Sequence, residues 1–183
     1  MSIIDSENFA NANVVHGELQ YLFNDCTKLV NAENLILPAT ELLTNSCYTS
    51  MFNNCTSLVN APHVLPAMTL TERCYENMFY GCTNLINAPE LPALVMTVAC
   101  YRSMFENCTS LVNAPKLPAI TLAGLGNGGC YNDMFRGCTS LVTAPELPAT
   151  TLAFSCYQHM FEGCTSLVNA PELPATSAAL WCY

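Results

Sequence analysis

Charged residues are scarce in this chain. They make up 10% of its 183 residues, and only five are Lys or Arg, against fourteen Asp or Glu. The net charge of −9, without a local cluster of basic residues, disfavours binding to nucleic acid or to an anionic lipid surface. Apolar residues nevertheless make up 51% of the chain, unlike the composition of disordered proteins. We therefore expect a folded protein with a sizeable core.

Long hydrophobic runs are also missing. No stretch reaches the roughly 18 consecutive apolar residues that indicate a membrane-spanning helix. Residues 1–7 show neither the cationic start nor the apolar run of a secretory signal. We therefore expect that the chain is synthesised in the cytoplasm and does not insert into a membrane. An export signal outside this chain remains compatible with the sequence.

Recognisable catalytic patterns are missing too. The three histidines fall at different repeat positions, and the Gly-rich stretch 124–129 lacks the Lys and the following Ser or Thr of a phosphate-binding loop. We expect no enzyme activity, no cofactor and no metal ligand. The enzymatic alternative uses Cys156 or Cys164 as nucleophile with His159 as base, and it requires an accessible thiol of lowered pKa.

What the sequence does contain is a repeat. The phrase C-T-x-L begins at Cys26, Cys55, Cys82, Cys108, Cys138 and Cys164. The units are 29, 27, 26, 30 and 26 residues long, and a sixth unit stops after 20. A fixed period of this kind indicates a solenoid in which one structural unit stacks on its copies. The predicted organisation is an N-terminal arm or cap over residues 1–17 and a solenoid over 18–183 whose last unit is truncated.

Each unit predicts one short helix and one short strand. In C-Y-x-x-M-F-x-x-C the apolar residues fall at i, i+1, i+4, i+5 and i+8, as in Cys47, Tyr48, Met51, Phe52 and Cys55. This spacing predicts a helix of about two turns, ended by the Asp, Asn or Gly before the second Cys in the left-handed conformation. The segment L-V-N-A-P-x-L-P predicts a brief extended segment stacked on its copies. The predicted fold class is an α/β solenoid.

The phrase Met-Phe-x-Gly-Cys-Thr-Ser-Leu, followed by a Leu-Pro corner, resembles the BspA-type leucine-rich repeats. These repeats are common in surface proteins of gut and oral bacteria and in related phage-encoded proteins. The resemblance covers residues 18–183 and departs from the family in having Ala-Pro-x-Leu-Pro where Ile-x-Ile-Pro is more usual. It implies a leucine-rich-repeat solenoid of six units of about 26 residues. It further implies adhesion or partner binding through a repetitive surface, with no catalytic residues.

The twelve cysteines allow three interpretations: disulfides, zinc ligands or free thiols. If the segment between the two cysteines of a unit is helical, their Cα atoms lie about 12 Å apart, beyond the roughly 7 Å limit for a disulfide. The spacing also does not match a zinc site, except for Cys156, His159 and Cys164 in one unit. We favour free thiols that act as small buried hydrophobic residues.

Two columns of equivalent residues have more than one interpretation. The first comprises Asn31, Asn60, Asn87, Asn113 and Asn169. We favour a structural ladder in which the Asn side chains pair with backbone groups of the next coil, and the alternative is a row of ligand-binding amides. The second is a Tyr column, for which we expect half-buried rings with exposed hydroxyls; the alternative is an aromatic platform for sugars.

The sixth unit differs from the others at Trp181, the single tryptophan of the chain. We predict that this open coil docks onto another protein or a second copy, with Trp181 as anchor and Leu180 and Tyr183 beside it. The alternative is that Trp181 folds back as a cap.

Together these features predict a non-enzymatic structural or protein-interaction module. We expect it to belong to a larger assembly such as a phage virion. The alternative is a bacterial surface adhesin that binds glycan or host protein. The expected location is accordingly the virion or the cell surface.

Overall fold

The chain folds into a stack of coils, seen in a computed structural model that describes residues 19–38, 44–125 and 128–183. The predicted arm over residues 1–17 lies outside the described residues. Regular strands are few and short. Strands β1 (Gly124–Leu125) and β2 (Gly128–Gly129) pair antiparallel, whereas β3 (Thr151–Leu152) and β4 (Ser177–Ala178) pair parallel between neighbouring coils.

Elsewhere the coils are joined by isolated parallel bridges. The longest series runs through one column, Asn31–Asn60–Asn87–Asn113–Thr143–Asn169. The prediction that an extended segment stacks on its copies is therefore confirmed. In the Asn column, only one residue of each segment forms a bridge to the next coil. Proline within each A-P-x-L-P segment cannot donate to a ladder, which keeps these segments from widening into strands.

The predicted helices are wrong: none occurs in the part of the chain that the structure describes. In the first Cys-Tyr segment the N–H groups instead alternate between two kinds of partner. Tyr48 donates to the carbonyl of Cys74 in the next coil (2.9 Å), whereas Met51 donates to Tyr48, three residues back (3.2 Å). A helix would use the carbonyl four residues back within its own segment. With no helix present, the described residues contain none able to cross a membrane.

Left-handed residues at every fourth position produce this chain of turns. In the first segment Ser46, Ser50 and Asn54 have φ of 60°, 55° and 56°. Each is the third residue of a four-residue turn, in which the N–H of the fourth residue donates to the carbonyl of the first. The third residue is the one for which a type II turn requires positive φ. The apolar pattern i, i+1, i+4, i+5, i+8 therefore has a true period of four. That value is close enough to 3.6 to imitate a helix.

The left-handed conformation before the second Cys of each unit is confirmed. It occurs at Asp25, Asn54, Gly81, Asn107, Gly137 and Gly163, with φ from 56° to 75°. A Cβ built on Gly81 would collide with the side chain of Asn54 in the preceding coil. Glycine is needed at that position because the Asn side chain lies across it and because φ is positive.

Two stacks of aromatic rings fill the interior. One is Phe23–Phe52–Phe79–Phe105–Phe135–Phe161, and the other is Tyr48–Tyr75–Tyr101–Tyr131–Tyr157–Tyr183. Neighbouring ring centroids lie 5.3–6.3 Å apart. Stacking at this spacing lets one residue type repeat through every coil without a void.

The tyrosine hydroxyls are not at the surface, so the prediction of half-buried rings with exposed hydroxyls is wrong. Tyr48, Tyr75, Tyr101 and Tyr131 are at most 1% exposed. The Tyr48 hydroxyl donates to the carbonyl of Pro38 (3.2 Å), whereas that of Tyr101 has no hydrogen-bond partner among the described residues. The stack therefore holds satisfied and unsatisfied hydroxyls in equivalent positions.

This difference predicts opposite effects of one substitution at two sites. Tyr101→Phe removes an unpaired buried hydroxyl and is expected to stabilise the fold by about 1–2 kcal/mol, since a buried polar group without a partner carries its full desolvation cost. Tyr48→Phe removes a paired hydroxyl and is expected to cost roughly 1 kcal/mol. Urea unfolding of both variants beside the unmodified chain measures the two signs. A loss of stability in both would show that Tyr101 has a partner.

All twelve cysteines are free, and every one except Cys26 is buried. In the second cysteine column the thiols from Cys55 onward reach back to the preceding coil, as when Cys82 Sγ donates to the carbonyl of Phe52 (3.1 Å). The prediction of free thiols that pack as small hydrophobic residues is confirmed, and these thiols also form weak hydrogen bonds between coils.

Candidate binding surfaces

The thiols of the predicted Cys–His alternative lie inside the core. Cys156 is fully buried, and burial raises its pKa to about 11. Burial also raises the pKa of Cys164, whose Sγ donates to the carbonyl of Phe135 (3.0 Å). An attacking thiolate needs the opposite shift. Among the described residues, no group of three or more His, Cys, Asp or Glu is placed to hold a metal ion.

The Asn column lies on the surface beside a column of β-branched residues, and we call the two together the Val–Asn strip. It comprises Val30, Val59, Ile86, Val112, Val142 and Val168 with Asn31, Asn60, Asn87, Asn113, Thr143 and Asn169. Backbone hydrogen bonds connect its coils, as from Val142 N–H to the carbonyl of Val112 (3.3 Å). Exposure in the β-branched column reaches 72% at Val168. The strip therefore presents the same two side-chain types on six successive coils.

The amides of the Asn column face solvent. Asn60 is half-buried and the other four asparagines are exposed. Among the described residues, the one hydrogen bond from this column's side chains is Asn31 Oδ1 accepting from Glu33 N–H (2.8 Å). Within the described residues, the ladder is formed by the backbones of the column and not, as predicted, by side chains pairing with the next coil. The amides instead face solvent.

Charged side chains of opposite sign follow one another along two columns. Arg136 lies 3.0 Å from Glu162 and 3.8 Å from Glu106, and Arg102 lies 3.8 Å from Glu76. The sequence alternates in sign at these positions, which avoids stacking like charges on adjacent coils. The arginines are 37–45% exposed, whereas the side chains of Glu76 and Glu106 are only 14% exposed. Exposed ion pairs of this length contribute little net energy, so their main effect is to let neighbouring coils stack without repulsion.

The residues predicted for docking in the sixth coil have different surroundings. Leu180 is 73% exposed and Trp181 is 65% exposed. The ring of Tyr183 instead extends the interior stack at 6.3 Å from Tyr157. The structure thus separates a stacked Tyr183 from two outward apolar side chains.

Trp181 lines a groove on the side of the stack. The groove has a volume of about 450 Å³ and is lined by Arg102, Asn132, Asp133, Phe154, Ser155, Gln158, His159 and Trp181. These residues come from four successive coils. Sequence reasoning singled out Trp181 and His159 but missed the rest, because their repeat positions are occupied by ordinary polar residues in other units.

Asp133 and Asn132 organise the floor of this groove. Asp133 Oδ1 is buried, and it has no hydrogen-bond partner within the described part of the chain. It lies 3.4 Å from His159 Nδ1 and 3.9 Å from Arg136 Nη1. Asn132 Nδ2 donates to the carbonyl of Gln158 (3.2 Å). The groove therefore combines an exposed aromatic face with donors and acceptors held by neighbouring coils.

Comparison with known proteins gives one likeness. No protein-family profile and no curated protein sequence matches the chain. The structure is similar to a leucine-rich repeat protein from Bacteroides ovatus, with a TM-score of 0.41 and 23% sequence identity. The match covers 80% of this chain and 37% of that protein, so the chain spans little more than a third of its length. A likeness at this TM-score does not decide which repeat family the chain belongs to.

Proposed function

We propose that this chain is a non-enzymatic repeat module that binds other proteins within a larger assembly, of which a phage virion is the example we favour. The observation that carries the proposal is the Val–Asn strip. Six coils hold one apolar and one polar side chain in register on the surface. Such an array suits a partner that makes the same contact several times, because each further contact forms at a high effective concentration.

The rigid stack lowers the cost of binding. The strip's backbone is fixed by bonds between coils, and its β-branched side chains have few rotamers to lose. Ordering of side chains and loops is one of the costs of association, so a preordered surface retains more of the energy of apolar burial. The exposed Leu180 and Trp181 in the sixth coil are proposed as a second contact, with a protein partner or a second copy.

The test places a charge in the strip. We expect the unmodified chain to be recovered with assembled particles after density-gradient separation. Val112→Lys should reduce that recovery about tenfold, because a lysine without a partner at an apolar contact costs more than 1 kcal/mol. Thr121→Lys puts the same charge on an exposed position of the same unit outside the strip and is the matched control.

Leu180→Lys tests the second contact in the same experiment, with solution mass as its readout. A monomeric mass for both the unmodified chain and Leu180→Lys would exclude a second copy as the partner. Recovery of the unmodified chain only in the free protein fraction, or equal effects of Val112→Lys and Thr121→Lys, would contradict the proposed module.

A bacterial surface adhesin is the second candidate. The observation that favours it is the groove under Trp181, whose mixed aromatic and polar lining differs from the purely repetitive strip. Recovery of the native protein with the cell envelope, and not with particles, would favour the adhesin.

A further inference from the structure

The aromatic wall of the groove is not required by the fold. The positions equivalent to Trp181 hold Ser46, Arg73, Ala99 and Ser155, and each of these also adopts positive φ. The turn at this column therefore forms with small and with charged side chains alike. The exposed tryptophan is an addition that the turn itself does not need.

The opposite wall supplies polar groups of both kinds. Arg102 offers donors, Asn132 and Gln158 offer amide groups, and His159 is about half exposed beside Asp133. The Asp133 side chain is 14% exposed, and its Oδ1 lacks a hydrogen-bond partner among the described residues.

The charges of the groove indicate which ligands it would take. Arg102 and Asp133 carry opposite charges, so the lining offers no net charge to select an anion or a cation. The whole chain carries −9, which further disfavours anions. The complementary ligand is uncharged, with a flat C–H face for Trp181 and several hydroxyl groups for the polar wall.

We propose that the groove lined by Trp181, Asn132 and Asp133 is a binding site for a neutral saccharide. A sugar ring has one apolar face and a rim of hydroxyl groups, which matches the two walls. The volume of about 450 Å³ lies within the range of roughly 300–1,000 Å³ usual for small-ligand sites. The groove is open to solvent, so we expect dissociation constants of about 10 μM to 1 mM.

The single tryptophan makes the site directly observable. A panel of uncharged mono- and oligosaccharides is titrated into the protein while the fluorescence of Trp181 is followed, and calorimetry gives the affinity independently. We expect a saturable change with at least one saccharide. Trp181→Ala should weaken calorimetric binding about tenfold or more, and Asn132→Ala by a smaller factor.

Two further variants serve as controls. Tyr21→Ala removes a comparably exposed aromatic residue (57%) that also has positive φ, far from the groove, and should leave binding unchanged. Trp181→Phe keeps an aromatic face and should retain part of the affinity, so a folding defect in Trp181→Ala would not hide the result.

Three results would overturn the proposal: no saturable response to any neutral saccharide, binding that survives Trp181→Ala, or binding confined to charged oligosaccharides. The Val–Asn strip lies outside the groove lining. Failure here therefore leaves the particle-recovery test of the proposed function standing.

Discussion

Raising the pH from 9 to 12 is expected to unfold this chain cooperatively, because columns of thiols and phenols that cannot ionise in place fill its interior. Burial raises the pKa of Cys55 and Cys156 to about 11, and that of Cys47 and Cys100 to about 12, from an ordinary value of 9.0. Burial also raises the pKa of Cys74, Cys82, Cys108, Cys130, Cys138 and Cys164.

The direction of the pH effect follows from where each state holds its protons. Below pH 9 the thiols are protonated in both states, and their contribution to stability is fully present. Between pH 9 and the folded pKa, the unfolded chain releases protons that the folded chain keeps. The free energy of unfolding then falls by about 1.4 kcal/mol per pH unit for each thiol. Ten such thiols would remove a typical stability of about 5–15 kcal/mol within roughly two pH units.

Circular dichroism and thiolate absorbance, followed together in reducing buffer, measure this transition. Both signals should change in one steep step above pH 9, with tyrosinate absorbance joining it because burial also raises the pKa of Tyr75 and Tyr101. Return to neutral pH should restore the fold and so separate unfolding from chemical damage. Gradual ionisation near pH 9 with unchanged circular dichroism would show that the cysteine columns are open to water.

Gly129→Ala is expected to cost about 4 kcal/mol or more, lowering the melting temperature by roughly 10 °C. A Cβ at this position would overlap the backbone carbonyl of Ser155 and lie 2.6 Å from Cys156 Cα. That backbone cannot retreat, since Ser155 N–H bonds to Leu180 and the carbonyl of Cys156 accepts from Tyr131. Strand β2 of the Gly-rich stretch thus packs closely against the next coil.

Gly128→Ala is the matched control, one residue away in the same strand. Its Cβ would meet the Val98 Cγ1 methyl at 2.9 Å, which is a side-chain contact that can shift. We expect a cost of about 1 kcal/mol. Thermal unfolding of Gly129→Ala and Gly128→Ala in parallel measures the difference between their melting temperatures. Similar melting temperatures would mean that the backbone near Ser155 moves freely.

The helix prediction failed for a reason that the sequence could not reveal. Residues such as Ser46, Ser50 and Asn54 alternate with apolar pairs at a period of four, and a short helix has nearly the same period. Ser and Ala are unremarkable in a helix, so their left-handed backbone leaves no signal in composition. The sequence revealed that conformation only before the second Cys, where Gly, Asn and Asp are the residue types that tolerate it.

The groove was only partly predictable. Trp181 stood out as a single residue of its type, whereas Arg102 and Asp133 resemble ordinary solvent-exposed charges when each unit is considered alone. Their proximity depends on how far successive coils rotate and shift, which small differences in packing set. The Val–Asn strip was visible as a column, but its exposure required the structure.

The repeated sequence by itself determined that equivalent residues stack, because identical units can bury their apolar residues only against their own copies. The tertiary structure decided that the segments are turns and not helices. It did so because half of the N–H groups in each segment find a carbonyl in the next coil, and that choice exists only once a neighbouring coil is in place.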